Sequence, residues 1–149
     1  MTGTLTHSPA DIIRNLLVDL GQGTVPSAGS TWPVFAGNEP DSPDDAITVY
    51  DTTSRMDGRT HVDGQQHEHH GIQVRIRNGN HVDGYTKARA IAVTLDETAY
   101  QNTVTIGSTS YTVHCVSRIG GVLALGKETP DSKRNLFTLN ALVAVREVA

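Results

Sequence analysis

Residues 135–146 read NLFTLNALVAVR, and this stretch decides the fold. Phe137, Leu139, Ala141, Val143 and Val145 alternate with Thr138, Asn140, Leu142 and Ala144, the period-two pattern of a β-strand with one face turned to a core. At ~3.3 Å per residue, such a strand runs on the order of 40 Å. A compact domain of this size has a radius of gyration of about 15 Å, so the strand must cross nearly the whole molecule. A central strand of one sheet meets that requirement. The alternative is a strand that also extends a sheet shared with a neighbouring subunit.

Moving back along the chain, the same periodicity recurs in shorter pieces. Tyr111, Val113 and Cys115 alternate with Thr112 and His114. Val104 and Ile106 end at Gly107, and Val122 to Leu125 lies between Gly120-Gly121 and Gly126. Ile72, Val74 and Ile76 alternate with Gln73, Arg75 and Arg77, as in a half-exposed strand. Ala46 to Tyr50 places Ile47 and Val49 on one face, and Trp32 to Phe35 is a short apolar run.

Two segments have helical spacing. Ser8, Pro9 and Asp11 form an N-terminal capping pattern. Ile12, Ile13, Leu16, Leu17 and Leu20 then share a face, and Gly21 is the stop. Asp83 and Gly84 open a second helix whose Tyr85, Ala88, Ile91, Ala92 and Leu95 are placed for burial. The order is helix, two or three strands, helix, four strands. That predicts one α+β domain over 1–149, a largely antiparallel mixed sheet with two amphipathic helices packed on one face. Residues 52–70 are polar, rich in Asp, Gly and His, and without periodicity. They are expected as a long polar loop serving an interface, since connections of this length are usually functional or mobile. The tetrapeptide HVDG occurs at 61–64 and 81–84, too little to define a repeat.

Composition narrows the function. The 149 residues carry 12 Lys and Arg against 16 Asp and Glu, a net charge of -4, which argues against a dedicated nucleic-acid binder whose affinity comes from clustered cations. With aromatics at 5%, aliphatic side chains must build the core. The one cysteine, Cys115, leaves no internal disulfide, which suits a reducing compartment. No apolar run reaches the ~18 residues of a membrane span, and MTGTLTHSP has no signal-peptide pattern, so a soluble protein with no membrane partner is expected.

Motifs for chemistry are weak. His61, His67, His69, His70 and His81 are close in sequence, and His67 and His69 would share one face of an extended segment. With His61 they are the candidate metal ligands, but there is no HExxH and no paired CxxC, and neither a metal nor a cofactor is expected. Clustered histidines also suit an acid-sensitive interface. No GxSxG elbow is present, and Cys115 is expected as a buried, inert thiol. The residues after Gly126 run to Pro130, not to the helix start that a phosphate loop requires. Arg75 and Arg77 are expected on a solvated sheet face or in an inter-subunit ion-pair row. Trp32 is read as a core anchor or an interface anchor. No catalytic residue is assigned. The interface candidates are Trp32, Arg75, Arg77, His67, His69 and His70.

Several segments in order carry a family resemblance: the first helix, WPVF, EPDSPDDAITVYDT, GIQVRIR, YTKARAIA and GVLALGKETPDSKRNLFTLNALVAV. From about Asp11 to Val145 they resemble bacteriophage minor capsid proteins of the tail-terminator kind, found in long-tailed siphophages. The resemblance implies an α+β subunit of a hexameric ring that caps the tail tube. The implied partners are further copies of the chain, the tail tube protein and a head-proximal connector or head-closure protein. DNA would pass through the lumen without sequence-specific binding. The implied place is the tail–neck region of the virion, after assembly in the host bacterial cytoplasm. Another neck component, such as a head-closure or tail-completion protein, is the near alternative, and a His-rich metal-binding module the remote one.

Overall fold

The computed structural model describes residues 5–27, 31–59, 66–99 and 102–148, with the backbone alone at 56–59, 66 and 67. Helix α1 spans Pro9–Asp19. Ser8 caps it, its hydroxyl accepting from the Asp11 amide at 3.2 Å. At the far end the Gln22 amide donates to the Leu17 carbonyl and the Gly21 amide to that of Val18. This pair of bonds, with Gly21 at φ +78, is a Schellman stop. Ile12, Ile13, Leu16 and Leu17 are buried, as their spacing predicts.

Three strands follow: β1 (Val34–Ala36), β2 (Ala46–Arg59) and β3 (Gln66–Asn78). β1 lies parallel to β2, and β2 antiparallel to β3. Helix α2 (His81–Glu97) starts two residues before Asp83, because the Asn80 side chain accepts from the amides of Val82 and Asp83 and so caps the helix earlier. Then come β4 (Asn102–Ile106), β5 (Thr109–Arg118), β6 (Leu123–Lys127) and β7 (Asn135–Val148).

The fold is α+β, a curled mixed sheet in the order β1-β2-β3-β7-β5-β4, with β6 also on β7. β7 is central. β3 lines one edge of it from Asn135 to Val143. On the other edge β6 covers its first residues and β5 its last, both antiparallel to it. One core joins both helices to the sheet: Leu16 and Leu17 from α1, Ile91 and Leu95 from α2, and Val74, Phe137, Leu139 and Val143 from the strands. Aliphatic side chains dominate that core, as the low aromatic content requires.

Two glycines let elements approach closely. A Cβ on Gly84 would lie 2.6 Å from the Phe137 ring, so only glycine lets α2 settle on β7 there. A Cβ on Gly71 would collide with the Thr52 hydroxyl and the Thr53 carbonyl, where the register of β2 on β3 shifts.

Four expectations need correction. The polar loop at 52–70 is, in its described residues, the outer end of the β2–β3 hairpin, with Arg55 opposite His69 and Gly58 opposite His67; 60–65 lie outside the described residues. A ladder forms from backbone groups whatever the side chains. The missing periodicity reflected the absence of a buried face, not of a strand. Arg77 is buried, not solvated. Tyr85 is exposed on the outer side of α2, only the edge of its ring meeting Phe137. Cys115 is exposed. A register shift between Val113 and Cys115 inserts an extra residue, reversing the facing of everything after it, so Val116 turns to the core instead.

Candidate contact surfaces

The hairpin outgrows the sheet. β7 leaves β3 after Val143 and stays with β5, while β3 stays with β2. The start of α1 sits at this fork and ties its sides together. The Ala10 amide donates to Asp51 Oδ1 at 2.9 Å, on the β2 side. His7 Nδ1 lies 2.6 Å from the Tyr111 hydroxyl on β5, and the Thr6 hydroxyl donates to Glu147 on β7 at 2.6 Å. His70, on β3, is buried at the same place, with Nδ1 3.8 Å from Glu68. Burial pulls its pKa down, while the carboxylates of Glu68 and Asp51 oppose that shift.

The other histidines do not converge in the described part. His61 lies outside it and His67 is described in backbone only, while His69 is half-buried on the face opposite His70. His81 stands in the first turn of α2, with its ring 5.3 Å from that of Phe137. Among the described residues no group of three or more His, Cys, Asp or Glu is placed to hold a metal ion.

The arginines are clamps on the chain itself. Arg77 donates to Glu39 Oε1 at 2.9 Å, to the Asp44 carbonyl at 3.2 Å and to the Pro43 carbonyl. It thus holds the 37–45 segment across the face of the sheet that carries no helix. Arg75, half-exposed beside it, keeps Nε 3.7 Å from the same Glu39. Arg134 fastens the segment from the other side through Asp41 and reaches Glu128 at 2.6 Å. Carboxylates are crowded here: burial first, then Asp44 and Asp83, raise the Asp45 pKa.

Trp32 is half-buried against the core, with a backbone φ of +52. Lys87 stands 5.5 Å from its ring centre and donates to the Gln22 carbonyl at 3.0 Å. That cation is engaged inside the molecule, where burial lowers its pKa.

Sequence reading missed the exposed apolar side chains of β6 and of the outer face of α2. Every residue of β6 is exposed, Leu123 and Leu125 included, as are Ile119 just before it and Val82 and Val93 on α2. The signal was present in IGGVLALG, residues 119–126, eight residues without a charge or a proline.

The elements therefore present surfaces for contact: a projecting hairpin, open sheet edges and exposed apolar side chains on β6 and on α2, on a small α+β scaffold. The chain belongs to the bacteriophage tail terminator family, whose model, described as "Bacteriophage tail terminator protein", matches residues 16–145. It is a structural protein of the phage tail, associated with other tail components in the virion. None of the curated proteins matches the chain in sequence. Several solved structures are similar in fold; one of them is matched over 93% of this chain and 94% of its own, at 16% identity and a TM-score of 0.48. A likeness at that level carries no weight for function.

Proposed function

We propose that this chain forms a closed homo-oligomeric ring, a hexamer, that caps the tail tube and joins it to the neck. Seated on the last tube layer, the ring stops polymerisation. Its other side receives the head-proximal connector or head-closure protein, and DNA passes through the lumen without sequence-specific contacts. The function is assembly and not catalysis.

The observation that carries this reading is the family match over residues 16–145. The fold supports it physically. A ring needs two unlike surfaces on each subunit that meet by rotation, and an open sheet ending in β1 and β2 on one side and β4 and β6 on the other offers them. The net charge of -4 suits a conduit that must not hold phosphates. The 52–70 segment with His67, His69 and His70, together with Trp32 and Arg75, supplies candidate contacts to the tube or to neighbouring copies. Arg77 is withdrawn from that set because its donors are engaged within the chain.

Native mass spectrometry and electron microscopy of the protein with its tail-tube partner test the proposal. The expected result is one ring at one end of each tube and a defined tube length. A protein that stays monomeric and leaves tube length unchanged would overturn it. A virion reconstruction placing the subunit away from the tube end would reassign it to another neck component.

A further inference from the structure

The outer half of the β2–β3 hairpin lacks the third strand that a two-stranded ribbon needs for stability in water. β1 pairs with β2 only from Ile47 to Val49, and β7 pairs with β3 only as far as His70. Beyond those points, among the described residues, the two strands of the hairpin pair with each other alone. The side chains described there, Thr53, Ser54, Arg55, Glu68 and His69, are all polar, so no apolar face compensates. What this ribbon offers a partner is backbone. Upstream, the Ile47 amide donates to the Pro33 carbonyl and the Val49 carbonyl accepts from Gly37, so both residues face away from β3. Their cross-strand partners, Ile76 and Val74, therefore face away from β2, and by alternation so does Glu68. Met56, opposite Glu68, turns its amide and carbonyl outward in the same way.

On the far side of the sheet, β4 is an edge without a guard. Soluble proteins blunt free edges with charge, proline, shortness or a covering group. β1 is blunted: it has three residues, it follows Pro33, and its Val34 carbonyl accepts from Arg14 at 2.9 Å. β4 has neither charge nor proline, and among the described residues its only strand partner is β5. Gly107, at φ +62, and Ser108 make a two-residue turn between Ile106 and Thr109. The bond that closes such a turn joins Ile106 to Thr109. Alternation then joins Val104 to Tyr111 and points the backbone groups of Thr103 and Thr105 outward.

We infer that the hairpin of one copy lays its β2 edge, residues 52–59, along β4 of the next copy and continues the sheet across the junction. The inference rests on the ring reading and supplies its junction. A second copy is the occupant because one chain carries both halves of the contact, a ribbon short of a strand and an unguarded edge. Thr52, Thr53 and Ser54 on one half and Thr103 and Thr105 on the other are residue types that pair well across strands. The two halves lie on opposite sides of β7 in the sheet. The contact is therefore heterologous, and repeats from copy to copy until it closes.

Met56→Pro and Thr105→Pro test the junction, since each deletes one outward donor and spares the ladder to β3 or β5. The full-length variants and the unchanged chain are compared by native mass spectrometry and analytical ultracentrifugation, with far-UV circular dichroism to check folding, then mixed with tail tubes. Each variant alone should self-associate at least tenfold more weakly. Mixed in equal amounts, the two should form a dimer and stop there. The Thr105→Pro copy still gives a hairpin, and the Met56→Pro copy still takes one. Variants that assemble like the unchanged chain, or a mixture that stays monomeric while the unchanged chain assembles, would overturn this junction and leave the ring reading standing. Variants that form rings but no longer cap tubes would assign the hairpin to the tube protein, which also overturns it. An unchanged chain that never self-associates, alone or on tubes, overturns the ring reading itself and this inference with it. Hydrogen exchange of the unchanged chain covers a variant that fails to fold. Slowed exchange at both 52–59 and 103–106 on assembly supports the inference. Exchange unchanged there, or slowed at 123–127 of β6 instead, overturns it.

Discussion

Arg77 shows how one buried charge organises a surface segment. A guanidinium is tolerated in a core only when its donors are matched, and here Glu39 and two carbonyls match them. Removing it takes the nearer of two cations, and the one that hydrogen-bonds, from a carboxylate whose side chain is 9% exposed. Arg77→Ala should therefore cost ~3–5 kcal/mol in urea denaturation; a loss under ~1 kcal/mol would show that the 37–45 segment contributes little. His70 gives a prediction in pH. Burial holds it below the ordinary imidazole value of 6.5, so the folded state favours the neutral ring. The unfolded chain takes up its proton first, and this contribution, full above pH 6.5, is lost as the pH falls through the lower folded value. Plotted against pH, the stability difference between the native chain and His70→Gln should shrink on acidification below 6.5. A difference that stays flat would mean that His70 titrates alike in both states. Neither environment was legible in sequence. Alternation placed Arg77 opposite Ile76 correctly, but no pattern announced that a distant segment would fold over it.

At the scale of elements, helix ends and strand cores were read well because their signals are local. The Ser8 cap, the Gly21 stop and the buried faces at Ile12–Leu17 and Phe137–Val143 follow from spacing alone. Errors arose where ladder geometry departs from strict alternation. The bulge before Cys115 is one such place, and it turns a thiol expected inside to the surface. Cys115 should react with a thiol reagent such as Ellman's in the native protein, without prior unfolding. Protection until denaturant is added would contradict the bulge. The hairpin at 52–59 and 66–70 is the other place. Its strands are paired along their backbones but have no apolar row to announce them.

For the whole molecule, the single core predicts how it unfolds. Both helices and strands from across the sheet contribute to one cluster, and the one tryptophan, Trp32, packs against it. Trp32 fluorescence and far-UV circular dichroism should report one coincident transition in urea. Two separated midpoints would instead mean that a helix or the hairpin unfolds on its own. By itself the sequence determined the class of fold, the central strand, the face of α1, all of the α2 face except Tyr85, and the resemblance to tail terminators, because periodicity, caps and segment order act over a few residues. Only the tertiary structure decided that Arg77 is inside, that Cys115 is outside, and that Leu123 and Leu125 stand exposed on β6. Burial is a property of what the rest of the chain brings to a residue, and an apolar strand looks the same in sequence whether it ends up covered or exposed.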